Sequence, residues 1–308
     1  MSKKSQEELK EKIQKLKEER KAVILAHNYQ RKEIQDIADF VEDSLGLSIQ
    51  ASKTDAKVIV FCGVHFMAET ASILSPEKTI LLPDPQAGCP MADMIDVKTL
   101  AEYRQKYPEA EVLCYVNSTA EIKAMSDVCC TSANALKIAQ KMKAREIIFI
   151  PDKSLGEYVE SQMEGSGKKF HLYPGYCPTH HRLLAEDIIK AKKANPDAVV
   201  MVHPECTAEV RALADFILGT GGMSKTAGEN GRTKFIVGTE EGMLYRLKKE
   251  NPEKTFILPS EKLICPNMKL NTLEKVYWAL KEMAHVVKVA EEVRSKAYKA
   301  IKAMLELS

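Results

Sequence analysis

Three cysteines share one local signature, each followed by proline: "AGCPMA", "GYCPTH" and "LICPNM". They are Cys89, Cys177 and Cys265, and each lies 88 residues from the next. Three thiolates with an open fourth position suit either a three-cysteine zinc site or a [4Fe–4S] cluster with one exposed iron. Either centre would act as a Lewis acid, polarising a substrate oxygen and helping it leave. The local C-x2-C spacing of electron-transfer ferredoxins is missing. Around the middle cysteine, "CPTHH" also offers His180 and His181 as zinc ligands. Their equivalents one repeat away are Ala92 and Asp93, and Met268 and Lys269, so the pair does not recur. The register keeps the thiols in the predicted metal site. It assigns the two histidines to the surface or to the surroundings of the site, near a helix start.

The 88-residue period extends to other reactive side chains. "VILAHNY", "VLCYVN" and "VVMVHPE" end one period apart, which places His27, Tyr115 and His203 at one equivalent position. With Tyr29, Asn117 and Glu205 they supply proton donors and acceptors for several sequential steps. Ser44, Ser132 and Thr220 form another equivalent set. Ser132 reads as the N-cap of a helix over "ANALKIAQKM". Helix N-termini bind carboxylates and phosphates through their unpaired N–H groups. Thr220 lies in the glycine-rich "GTGGMSKTAGENG", read as an anion-wrapping loop or a mobile lid. Together the set predicts a substrate with several negative groups. Cys62, Cys114, Cys129, Cys130 and Cys206 do not repeat and read as structural, the vicinal Cys129–Cys130 pair being open to oxidation in air.

Elements that position such residues can be read from the same register. Each copy begins with a strand (Val23–Ala26, Val112–Val116, Val199–Val202) that runs into the polar motif. A helix follows; Asp39, Asp127 and Asp215 align just beyond its apolar residues. A second strand, a helix, a third strand leading to the cysteine and a closing helix complete the copy. Alternating β and α elements with β-branched strands imply parallel sheets covered by helices. The predicted fold is therefore α/β, with three homologous three-layer αβα domains at 22–109, 110–197 and 198–285. Helices are expected at 1–21 and 286–308. Functional residues gather beyond the carboxyl ends of parallel strands. A pseudo-threefold arrangement would bring the three sets to one central cleft.

Composition narrows the partners. The 308 residues carry 45 basic and 43 acidic side chains, a net charge of +2, which argues against a nucleic-acid binder. No apolar run approaches bilayer length. The start, "MSKKSQEELKEKIQKLKEERK", has no apolar core of a secretory signal and reads as an exposed amphipathic helix. A cytoplasmic location, where structural disulfides are rare, is the expectation.

In order along the chain, "AHNYQ", "QDIADFVEDSL", "CPMAD", "YVNST", "TSANA", "PDKSLGEYV", "HPEC" and "GTEEGM" closely resemble the quinolinate synthase family, over about residues 22–275. The resemblance implies three αβα domains around a [4Fe–4S] cluster. It also implies condensation of iminoaspartate (iminosuccinate) with dihydroxyacetone phosphate to quinolinate, phosphate and two waters, a step of NAD biosynthesis. Cys89, Cys177 and Cys265 match the cluster ligands, leaving the fourth iron for substrate. His27, Ser44, Tyr115, Asn117, Ser132, His203, Glu205 and Thr220 match substrate-contacting positions, and Tyr29 matches a tyrosine that handles the triose-derived part. Glu205 is expected to shuttle protons, assisted by His203 and Tyr115, while Ser44 and Ser132 hold carboxylates. The iminoaspartate-producing enzyme is a candidate partner. Where many members read Ser-Thr-Gly, this chain reads Gly219-Thr220-Gly221. The residues alone stop earlier, at a three-thiolate metal site, an anionic substrate and acid–base chemistry. They leave open a zinc-stabilised three-domain binding protein and an electron-transfer cluster protein.

Overall fold

The computed structural model describes residues 3–308. Twelve strands form three parallel four-stranded sheets. The first holds β1 (Ala22–His27), β2 (Phe40–Glu42), β3 (Val58–Cys62) and β4 (Thr79–Leu81). The second holds β5 (Glu111–Tyr115), β6 (Val128–Cys130), β7 (Glu146–Ile150) and β8 (Lys169–Leu172). The third holds β9 (Val199–Val202), β10 (Phe216–Ile217), β11 (Lys234–Gly238) and β12 (Thr255–Ile257). Every sheet has the order second–first–third–fourth. Parallel neighbours need crossover connections, and helices supply them, so the central strands are apolar on both faces. Each copy thus has four strands rather than the three read from the sequence. The extra one (β2, β6, β10) is two or three residues long, too short for an alternating pattern to register.

Contacts group the chain into two compact units. One comprises the segment ending at Cys89 together with Cys265–Arg294, and the other Pro90–Ile264 with Ser295–Ser308. In the first unit, the helices Lys3–Arg20 and Leu273–Glu282 cover sheet one. Ile13, Ile24, Val60, Leu81, Val276 and Leu280 pack into one buried cluster. The apolar stripe Leu9, Ile13 and Leu16 is therefore a core face; the glutamates of that helix face water, while Lys17 is buried and donates to Asp39 Oδ1 at 2.7 Å. In the second unit, the helix Val97–Lys106 lies by sheet two, where Arg104 reaches the Met125 carbonyl and Asp127. The helix Ala185–Ala194 buries Ile188 with Val200, Val202 and Ile236 of sheet three. The helices that close the second and third copies thus pack on the sheets of the third and the first, and the helix that closes the first meets the second copy at the helix Ala120–Ala124 and at Asp127. Packing is offset from the 88-residue period by one helix.

The repeated aspartates have a shared structural task. Asp39, Asp127 and Asp215 each accept the backbone N–H of the first strand, at Ile24 (2.7 Å), Val112 (2.7 Å) and Val200 (2.8 Å). Each also donates its own N–H to the carbonyl of that same residue. This two-point latch fixes the start of the strand that carries the polar motif at its other end. Asp215→Ala leaves the Val200 N–H without its acceptor. Its unfolding free energy should fall by about 1–3 kcal/mol in urea titration, and Asp215→Asn, which keeps an acceptor oxygen, by less than half of that.

Candidate active site

Each repeat cysteine occupies the same local position. Cys89, Cys177 and Cys265 follow the fourth strand of their sheets and precede a one-turn 3-10 helix that begins three residues later (Ala92–Met94, His180–Arg182, Met268–Leu270). These three thiols are half-buried, whereas the other five cysteines are fully buried. Burial pushes the Cys62 and Cys206 thiols up. The vicinal pair, read as open to oxidation in air, is buried in β6.

In the first unit the Cys89 and Cys265 loops are tied together. Asn267 Nδ2 donates to the Gly88 carbonyl at 2.7 Å. Lys269 Nζ donates to the Tyr29 carbonyl at 2.8 Å, and Arg31 Nε to the Lys269 carbonyl at 2.9 Å. The His27-Asn28-Tyr29 motif at the end of β1 is thereby fixed against the Cys265 loop. His27 Nδ1 accepts the Tyr29 N–H at 3.2 Å, and the two rings meet edge to face at 4.5 Å. Ser44 is the first residue of the helix Ser44–Lys53, but Asp43 caps it by accepting the Gly46 N–H at 2.8 Å. The Ser44 hydroxyl is thus not used in capping.

The second unit brings a denser set together. Glu205 is 3% exposed and sits among three partners. Tyr115 donates its hydroxyl to Oε1 at 2.7 Å, His180 Nδ1 lies 2.6 Å from Oε2, and His203 Nδ1 lies 3.5 Å from Oε2. The His180 and His203 rings stack at 4.6 Å. Burial alone would raise the Glu205 carboxyl, but the charges of His203 and His180 and the bonds from His180 and Tyr115 outweigh it. The carboxyl is held well below the usual range. Asp152 behaves oppositely: burial and the repulsion of Glu205 push its carboxyl well above the usual range. It accepts the Leu155 N–H at 2.7 Å and a backbone N–H at Cys177, which anchors the cysteine loop to the helix Lys153–Ser161.

Of the two places read for His180, the surface or the surroundings of the site near a helix start, the structure supports the second: it is 1% exposed and touches Glu205, Cys177 (3.2 Å) and Thr239 Oγ1 (2.9 Å). The C-x2-H spacing was its signal: the turn that leads into the 3-10 helix, closed by the His181 N–H on the Cys177 carbonyl at 3.0 Å, brings the two side chains together. His181 lies apart, bonded to Ser154 at 2.9 Å and stacked on Tyr176. Ser132 is not an N-cap: the helix is Ala135–Lys141, and Asn134 folds back to accept the Thr131 N–H at 2.6 Å. The glycine-rich stretch at Thr220 is no loop but the helix Thr220–Glu229, with Thr220 buried in its first turn. Ser132 and Gly219 still meet, and both line a cavity of about 220 Å³ with Leu155, Tyr158 and Leu218. Asn117, just beyond β5, has a buried Oδ1 with no hydrogen-bond partner.

A buried carboxylate flanked by imidazoles and a phenol, at the carboxyl ends of parallel strands and next to a half-buried thiol, is the equipment of an α/β enzyme doing acid–base chemistry. A family model described as "NadA: Quinolinate synthetase A protein" matches residues 11–306. Quinolinate synthase of Geobacter sp. (strain M21) is 56% identical over 303 residues, covering 98% of this chain and 99% of the relative. That of Thermodesulfovibrio yellowstonii is 56% identical over 297 residues, covering 96% and 97%. Quinolinate synthase 2 of Methanosarcina acetivorans is 51% identical over 298 residues, covering 97% and 95%. The chain belongs to the quinolinate synthase A family, enzymes of NAD biosynthesis, and membership implies an iron–sulfur cofactor. Among the described residues, no helix is long and apolar enough to cross a membrane.

Proposed function

We propose that this chain condenses iminoaspartate with dihydroxyacetone phosphate to form quinolinate, phosphate and two waters, with a [4Fe–4S] cluster held by Cys89, Cys177 and Cys265. The observation that carries the cluster assignment is the shared placement of these thiols: half-buried, after the fourth strand, before a 3-10 turn. Thiolates are the ligands that such clusters require, and three of them leave one iron open. When bound, the cluster supplies a Lewis acid for a substrate oxygen.

The protein's own side chains would do the rest. Glu205, held ionised, accepts a proton, and the Tyr115 hydroxyl and His203 lie within reach to relay it. The orphaned Asn117 Oδ1 offers an acceptor to a substrate N–H or O–H. Ser44 and Ser132, released from capping, hold carboxylates, and Thr220 contributes from a helix N-terminus, where anions are favoured. His27 and Tyr29 take the triose-derived part, and the iminoaspartate-producing enzyme is a candidate partner. Five buried thiols fit the reducing cytoplasm.

The test is an anaerobic assay for quinolinate from the two substrates with cluster-loaded protein. Substantial activity from iron-free protein would overturn the reading. A finer check uses Gly219, where a Cβ would lie 2.9 Å from Ser132 Oγ. Gly219→Ala should displace that hydroxyl and raise KM about tenfold, a loss of ~1.4 kcal/mol, with the thermal midpoint little changed.

A further inference from the structure

Cys177, His180 and Glu205 each present one donor atom, and these atoms lie within 4.8 Å of one another. His180 Nδ1 is 3.2 Å from Cys177 Sγ and 2.6 Å from Glu205 Oε2. Ligands of a tetrahedral zinc ion, with bonds of about 2.0–2.3 Å, stand roughly 3.3–3.6 Å apart. The sulfur–nitrogen separation is already close to that, and the nitrogen–oxygen contact needs to open by less than about 1 Å.

The surroundings are those of a metal site. A ligating imidazole normally gives its other nitrogen a fixed partner, and ligating carboxylates are themselves hydrogen-bonded. Here Thr239 Oγ1 lies 2.9 Å from His180 Nε2 and is fully buried. In the metal-free chain Nδ1 carries the proton shared with Glu205 Oε2; a bound ion would displace that proton, and Thr239 Oγ1 would accept from Nε2–H. Glu205 Oε1 is engaged by the Tyr115 hydroxyl, which leaves Oε2 for the ion. Thiolate, imidazole and carboxylate together suit zinc better than magnesium or calcium, which take oxygen ligands.

We infer that the cluster-free chain binds one zinc ion, or a similarly thiophilic divalent cation, at Cys177, His180 and Glu205, with the fourth position open to water. The site is local to one compact unit and uses neither Cys89 nor Cys265. On the reading that Cys177 is also a cluster ligand, zinc and cluster exclude each other, and zinc-loaded protein resists reconstitution.

The experiment titrates full-length cluster-free protein with Zn2+ under reducing, oxygen-free conditions against a chromophoric chelator. One zinc per chain is expected. Thr239→Val should weaken it about 10- to 100-fold, and His180→Ala and Cys177→Ser by at least as much. Cys89→Ser and Cys265→Ser should bind as the parent does. X-ray absorption at the zinc edge should show one sulfur among nitrogen and oxygen neighbours. Three sulfurs, or equal weakening by all three cysteine changes with none from His180→Ala or Thr239→Val, would place the metal on the repeat thiolates and overturn the inference. So would failure to bind zinc in parent protein whose circular dichroism shows it folded. Thr239→Val keeps the test decisive should His180→Ala not fold.

Discussion

Glu205→Gln lowers kcat for quinolinate formation by about 10²- to 10⁴-fold, the usual contribution of a positioned acid–base group, while iron content stays at the parent level. The substitution is nearly isosteric and still offers the Tyr115 hydroxyl an acceptor oxygen, so the site keeps its shape. What it removes is the charge that His180 and His203 surround. Because the carboxyl is held below its usual range, it is fully ionised across neutral pH, and no activity step between pH 5 and 8 should trace to it. The sign for stability follows. A depressed carboxyl contributes stability above its unfolded pKa, about 4.3 for Glu, and loses it as pH falls toward the folded value. The parent should therefore exceed Glu205→Gln in denaturant resistance at pH 7, and the gap should close in acid. Anaerobic steady-state kinetics, and unfolding at pH 7 and in steps from pH 4 downward, check both parts. A kcat within tenfold of the parent would remove Glu205 from the proton-transfer role.

The repeat explains what could be read in advance. Strands β1, β5 and β9 and strands β3, β7 and β11 are buried on both faces, so they stand out as apolar runs at a fixed offset. Side chains at or just past their ends, such as Tyr115 and Glu205, then fall into register from the sequence alone. The edge strands β2, β6 and β10 stayed hidden because two or three residues beside a latch carry no period. The closing helices were seen, but which sheet each covers depends on long-range packing that no local pattern encodes. The aspartate register was visible as well. Its meaning was not, because accepting a backbone N–H and donating one back needs no special neighbours in sequence.

Asymmetry explains what was missed at the site. A register argument recognises only what recurs, and it set His180 aside because Ala92 and Met268 stand at the equivalent positions. Yet Glu205 has an imidazole partner there only because the second copy departs from the other two. Thr239, which orients that imidazole, comes from "GTEEGM" far along the chain and meets it only after sheet three has formed. Ser132 illustrates the converse error. Its position before a helix suggested capping, but Asn134 folds back on Thr131, and the serine hydroxyl lies instead beside Gly219. Symmetry located the three-copy scaffold, whereas the buried cluster of Glu205, His180 and Tyr115 forms where the copies differ.

Replacing any one of Cys89, Cys177 or Cys265 with alanine should abolish cluster retention, taking iron from about four per chain to below one and leaving under about 1% of activity. On the proposed ligation, a cubane bound by only three thiolates would have no spare protein ligand, and two would be too few to hold it against solvent and oxygen. The thiols that lie outside the register provide the control. Cys206 packs with Val202, Val210 and Ile236, and its thiol, pushed up by burial, is not a ready ligand. Cys206→Ala should keep full iron and activity per folded chain while losing about 1–2 kcal/mol of stability through the small cavity it leaves. Iron and acid-labile sulfide analysis of anaerobically purified variants separates the two classes. Equal iron loss from Cys206→Ala and Cys89→Ala would mean that folding, not ligation, governs retention. Iron kept by Cys89→Ala or Cys265→Ala would break the threefold assignment, and the shared 3-10 turn after each cysteine would need another explanation.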